Sequence, residues 1–198
     1  MRVLLISEGS HEGHPAPEKP QALEAIVKRV VSSSASYHWI SVRNLPRGNP
    51  LPGKGGGHFK LALKAMWYAT KNAFDAVVLV TDADGDYERI RQFDQAQEST
   101  RFGIPRAFGI PVEAFDAWIL ADQQALSNVV GKTVPMQPDP ESMRRPKEAC
   151  RALMEDYGWR GSQAQFYAAV CAIADLDVIA RRCPKGFGPF LDRLRMLR

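Results

Sequence analysis

The stretch Ala76-Val77-Val78-Leu79-Val80-Thr81-Asp82-Ala83-Asp84-Gly85-Asp86 decides how this chain is read. Its first six residues are apolar and rich in β-branched side chains, the signature of a buried strand. Its last five place three carboxylates at alternate positions where that strand ends. Like charges so close repel unless a cation sits between them or protons are retained. Carboxylate oxygens are hard ligands, so Mg²⁺, Mn²⁺ and Ca²⁺ are the natural ions for such a cluster. A structural reading stands beside this one. Asp favours helix N-termini, and Asp84 or Asp86 could cap a helix that follows the strand.

Three more segments read as strands, at 2–7, 37–42 and 106–111. Helical patterns separate them at 20–33, 58–72 and 87–98. The first carries Leu23, Ile26, Val27 and Val30 at helical spacing, and the second carries Leu61, Ala62, Ala65, Met66 and Ala69. Strands that alternate with helices of this length predict an α/β fold, with a parallel sheet and crossover helices. Beyond the fourth strand the patterns are helical only, at 112–130, 146–157, 163–173 and 187–197. The Pro-rich stretch at 135–140 is the best candidate hinge between an α/β core and a helical extension.

In an open parallel sheet, ligands collect at the carboxyl ends of the strands. The first strand ends in Ser7-Glu8-Gly9-Ser10-His11-Glu12. If the first and third strands are neighbours, Glu8 and Glu12 come beside Asp82 and Asp84. Gly9 and Gly85 permit tight turns there. One Glu and two alternating Asp can hold one or two divalent ions that clamp a phosphodiester, activate a nucleophile and stabilise the leaving oxygen.

Glu8 after the first strand and Asp82-x-Asp84 after the third resemble the metal-binding residues of the topoisomerase–primase (TOPRIM) domain. Glu8-Gly9-Ser10-His11-Glu12 is similar to the Glu-Gly-x-Thr-Glu signature of small stand-alone TOPRIM-like proteins of prokaryotic defence loci, with His11 where Thr is usual. Ile110-Pro111-Val112 followed by Asp116-Ala117-Trp118-Ile119-Leu120-Ala121-Asp122 resembles their Glu-Ala-Trp-Leu-Leu-Ala-Asp helix, with Asp116 in place of Glu and Glu113 one turn earlier. Pro146-Lys147-Glu148 and the closing helix are also similar to their C-terminal helices, so the resemblance covers most of the chain. It implies a TOPRIM-like, Rossmann-like core over 1–135 and a helical extension over 136–198 packed on it. It implies a Mg²⁺ (or Mn²⁺) site formed by Glu8, Asp82 and Asp84; the residues around it add Glu12 and Asp86 as candidate ligands and Asp116 and Lys147 as candidate accessory residues, with Lys147 otherwise an ordinary surface lysine. The chemistry it implies is phosphodiester hydrolysis in DNA or RNA.

Two shorter motifs compete. Asp82-x-Asp84-x-Asp86 opens like an EF-hand loop, but Tyr87 and Phe93 stand where that loop needs Gly and a bidentate Glu. Gly48-Asn49-Pro50-Leu51-Pro52-Gly53-Lys54-Gly55 is close to a P-loop, but Gly55 replaces the Mg²⁺-binding hydroxyl and two prolines remove amide donors. Lys54 is kept as a nucleic-acid phosphate contact, or else as part of a solvated loop. His11, His14 and His58 are candidate bases or ligands, more simply read as solvated turn residues. Trp118 reads as a core anchor of its helix rather than a base-stacking platform.

Composition narrows the class. The 198 residues are 45% hydrophobic and 24% charged, as in an ordinary globular protein. No apolar run approaches the roughly 20 residues needed to span a bilayer, so no membrane role is expected. Acid at Glu8 comes too soon for a signal-peptide core, which makes a cytoplasmic location the expectation. Cys150, Cys171 and Cys183 lack metal-ligand spacing and read as core residues. The net charge of +4, with Arg144, Arg145, Lys147 and Arg151 clustered, permits nucleic-acid binding. Arg144 and Arg145 are therefore candidate nucleic-acid contacts.

No tyrosine-nucleophile or polymerase partner domain fits within the chain, so metal-dependent hydrolysis is expected rather than strand passage or primer synthesis. Two other classes remain open. One is a non-catalytic subunit that binds nucleic acid or a partner ATPase. The other is a metal-dependent phosphatase acting on a small phosphorylated substrate.

Overall fold

The computed structural model describes residues 1–8, 21–46 and 57–197. Glu12, His11 and His14, and the 48–55 stretch with Lys54, lie outside the described residues. The fold is α/β, with a sheet of four parallel strands in the order β2-β1-β3-β4. The strands are β1 (Arg2–Ser7), β2 (Ser36–Ser41), β3 (Ala76–Val80) and β4 (Arg106–Gly109). The central pair, β1 and β3, is joined in register from Val3 opposite Ala76 to Ser7 opposite Val80. Both strands are almost entirely buried and both read as unbroken apolar runs, as sheets covered on two faces require.

Alternate residues of these strands feed two different cores. Leu4, Ile6, Val77, Leu79 and Phe108 pack with α2 (Gly57–Lys71) and α3 (Tyr87–Gln97). Val3, Leu5, Val78, Val80 and Ala107 face the other way, onto α1 (Ala22–Val30) and the helices that follow β4. Those helices are α4 (Asp116–Ile119), α5 (Gln123–Val130), α6 (Pro146–Asp156), α7 (Gln163–Ile173), α8 (Leu176–Arg182) and α9 (Phe187–Arg195). The C-terminal helices therefore share one continuous hydrophobic cluster with the sheet. This is a Rossmann-like core completed by C-terminal helices.

The periodic pattern at 112–130 does not form one helix. Asp122 interrupts it: its carboxylate accepts from the amides of Gln124 and Ala125 and so caps α5, and its other oxygen accepts from Asp175 N–H at 2.7 Å. A side chain that bonds backbone amides offers the chain an alternative to continuing the helix. The fourth strand stops at Gly109, short of 111, and α8 adds a helix that the sequence pattern did not reveal.

Trp118 is buried in an aromatic cluster, stacked on Phe190 at 5.4 Å and edge-on to Phe187 at 5.0 Å. Gly109 makes room for it, since a Cβ there would lie 2.8 Å from the Phe190 ring and 3.0 Å from the Trp118 ring. The three cysteines are buried and free. Among the described residues, no single helix is long and apolar enough to cross a membrane.

Candidate functional site

The chain leaves β1 for α1 on one face of the sheet and leaves β3 for α3 on the other face. The carboxyl ends of β1 and β3 therefore flank a topological switch point, where open α/β sheets form their ligand crevice. Glu8 stands at the end of β1. Its Oε2 accepts a hydrogen bond of 2.7 Å from the Thr81 hydroxyl, next to Asp82 at the end of β3. The two strand ends expected to converge do so.

Asp82 is the most enclosed acid of the acidic stretch, 9% exposed. Its Oδ1 accepts from the Phe115 amide at 2.9 Å, and its Oδ2 holds the Lys147 ammonium at 3.0 Å. Burial pushes the Asp82 carboxyl above the usual carboxylate range, although the Lys147 charge, its hydrogen bond and the Phe115 amide pull the other way. Burial also works to deprotonate Lys147, but Asp82, with Asp116 and Asp84 nearby, outweighs it and raises the lysine above its ordinary value.

The next two acids are placed differently. An Asp86 N–H to Ala83 C=O bond of 2.9 Å closes a tight turn, with positive φ at both Asp84 (51°) and Gly85 (74°). That is the pattern of a type I′ turn, which Gly tolerates freely and Asp better than most residues. The Asp84 carboxylate is exposed and paired with Arg89 Nη1 at 2.5 Å. The same Arg89 nitrogen reaches the Asp82 carbonyl at 3.4 Å. Asp86 caps α3, its Oδ1 accepting from the Glu88 amide at 2.9 Å. Its side chain thus serves the helix, as the structural reading anticipated for that position.

Asp116 is buried behind Lys147. Its Oδ1 accepts a very short hydrogen bond from the Tyr167 hydroxyl and a longer one, 3.5 Å, from Gln163 Nε2. Burial, with Cys150 and Asp116 beside it, pushes the Tyr167 phenol far above its usual value, so it remains a donor. Lys147 is therefore shared by the fields of three carboxylates that reach it from β3, its following turn and α4.

A cleft of about 260 Å³ opens beside this group. Asp84, Glu113 and Glu148 line it together with Arg144, Arg145 and Lys147, and Arg145 is paired with Glu148 at 3.3 Å. Glu113 lies against the turn, its Oε1 3.2 Å from where a Cβ on Gly85 would stand. Sequence reasoning missed Thr81, Arg89, Tyr167 and Gln163. Arg89 alone had a local signal, three residues beyond Asp86 on a helix. The other contacts bridge distant segments.

The donor set consists of hard oxygens, which suits Mg²⁺ or Mn²⁺. Asp82 and Asp84 each already hold a basic side chain, so both carboxylates are disposed to bind a cation. Among the described residues, no three Asp, Glu, His or Cys side chains are grouped closely enough to bind an ion as they stand. His58 lies against the Phe93 ring, and its amide bonds Gln92. Comparison with protein-family models, curated proteins and solved structures gives no match for this chain.

Proposed function

We propose that the chain is a metal-dependent nuclease that hydrolyses phosphodiester bonds in DNA or RNA. The observation that carries this reading is the placement of Glu8 and the buried Asp82 together at the switch point, beside a cleft that Lys147, Arg144 and Arg145 help to line. Glu8, Asp82 and Asp84 would hold Mg²⁺ or Mn²⁺, which when bound supplies Lewis-acid activation of water and charge stabilisation. The chain's own residues supply the rest. The Phe115 amide fixes the orientation of Asp82. The Thr81 hydroxyl holds Glu8, whose other oxygen would take the ion or, alternatively, act as a general base or acid. Lys147 stays protonated and offers positive charge to a phosphoryl oxygen. Arg144 and Arg145 line the path of a polyanionic backbone.

A cleavage panel on DNA and RNA with Mg²⁺, Mn²⁺ and EDTA tests this reading. Wild type is compared with the Asp82→Ala, Asp84→Ala double variant. Metal-dependent cleavage that the variant loses is the expected result, and full activity in the variant overturns the assignment. One observation favours a second reading, a nucleic-acid- or ATPase-binding subunit without catalysis. Asp82 and Asp84 are each already neutralised by a side chain of the chain itself. Steeply salt-dependent binding with no cleavage under any condition would select it.

A further inference from the structure

We infer that Lys147 is the resident counter-ion of this site, displaced from Asp82 by the divalent cation and turned into the adjoining cleft, where it takes a phosphate oxygen of the substrate. The inference rests on the metal-dependent reading above and assigns Lys147 two successive partners.

The Lys147–Asp82 pair is asymmetric. The carboxylate side chain is 12% exposed, whereas the lysine side chain is 59% exposed. So little of Asp82 is exposed that water only weakly replaces a lost partner, and its charge calls for another cation. Lys147 can return to water at little desolvation cost, because its charged head sits on a long stem. Asp82 is also held differently at its two oxygens. Oδ1 is fixed by the backbone amide of Phe115, and Oδ2 by the detachable ammonium. Only the second can be given up without moving the fold.

The stem is well placed for the exchange. Lys147 is the second residue of α6, whose first residue is the buried Pro146, so the side chain can turn while the helix stays. Lys147 also lines the cleft together with Arg144 and Arg145. The ammonium thus stands between a buried acid and an open cleft lined by charges of both signs.

The decisive measurement is a pair of affinities that move in opposite directions. Lys147→Met is expected to bind Mn²⁺ about fivefold more tightly by calorimetry, as removal of a competing ion pair of this exposure allows. The same variant is expected to bind a short single-stranded DNA in Ca²⁺ about fivefold more weakly by fluorescence anisotropy. A lysine with only a structural role would weaken both or change neither, and either result overturns the inference.

Wild-type protein provides a second measurement that does not depend on the variant folding. Lysine side-chain NMR, assigned with Lys147→Arg, should show the Lys147 signal moving towards that of a free lysine as Mg²⁺ is added, together with the Asp82 carboxyl signal. If Asp82 responds and Lys147 does not, the exchange is overturned and the metal site stands. If neither responds and Mn²⁺ gives no heat with either protein, the metal-dependent reading fails and the exchange with it.

Discussion

Asp82 and Asp86 lie four residues apart in one acidic stretch, yet they belong to different parts of the molecule. Asp82 points inward, where a backbone amide from the start of the C-terminal layer and an ammonium from α6 meet it. Asp84 and Asp86 point outward and are served by their own neighbourhood, Arg89 and the first turn of α3. The turn at Asp84 and Gly85 makes this division, because two successive positive φ values reverse the chain before α3 begins. Carboxylate density in sequence does not measure carboxylate function. The acid that is costly to bury and has a distant partner couples the strand end to the rest of the fold. Asp86 solves a local problem, the cap of α3, and Asp84 stands between the two, exposed at the turn beside the cleft.

Removing Asp82 should have the largest effect of any single change in this stretch. Asp82→Ala should lower metal-dependent cleavage by at least about 10²-fold, the scale of losing a preorganised charge in an enclosed site. Asp86→Ala should leave cleavage near wild type in the same assay. Comparable losses in both would erase the distinction. Asp82→Asn addresses the same point through pH. Because the folded Asp82 carboxyl lies above its unfolded value, the folded state retains this proton longer. The stability it contributes is present at acid pH and is lost as pH rises through the raised value. Urea unfolding of wild type and Asp82→Asn across the acid-to-neutral range should therefore give a difference curve in which wild type declines relative to the variant. A flat difference curve would mean that burial does not govern Asp82.

The inward side also depends on its support. Tyr167→Phe deletes a donor to the buried Asp116, and leaving that acceptor short of a partner should cost about 1–3 kcal/mol in urea unfolding. Gln163, already within reach of the same oxygen, sets the lower end of that range.

Much of the outward side could be read from the chain itself. The run from Ala76 to Val80 has the composition of a doubly buried strand, and Asp86 before Tyr87 has the position of an N-cap, so both signals lie within a few residues of their effects. The convergence of Glu8 and Asp82 was also legible, because strand order and the carboxyl-end rule place them together. The inward side was not. Lys147 meets Asp82 across 65 positions and Tyr167 meets Asp116 across 51, and pairings of that reach leave no periodicity to detect. The break at Asp122 was missed for a different reason. Ala121 and Ala125 keep the apolar pattern running through it, and only the side-chain capping geometry shows that the helix restarts.

On the outward side the expected effects are smaller. Asp86→Ala removes the cap of α3 and should cost about 1 kcal/mol, the usual value of an N-cap side chain. Asp84→Asn should cost least, within about 0.5 kcal/mol, because an exposed ion pair to Arg89 contributes little. Asn tolerates the left-handed conformation at this position about as well as Asp. Asp84→Val is the control that separates backbone from charge. It removes the same carboxylate but places a β-branched residue at positive φ, and that strain should cost about 1–3 kcal/mol. If Asp84→Asn proved as destabilising as Asp84→Val, the Arg89 pair and not the turn would hold this segment. Asp84 would then belong with Asp82 as an acid whose charge the fold requires.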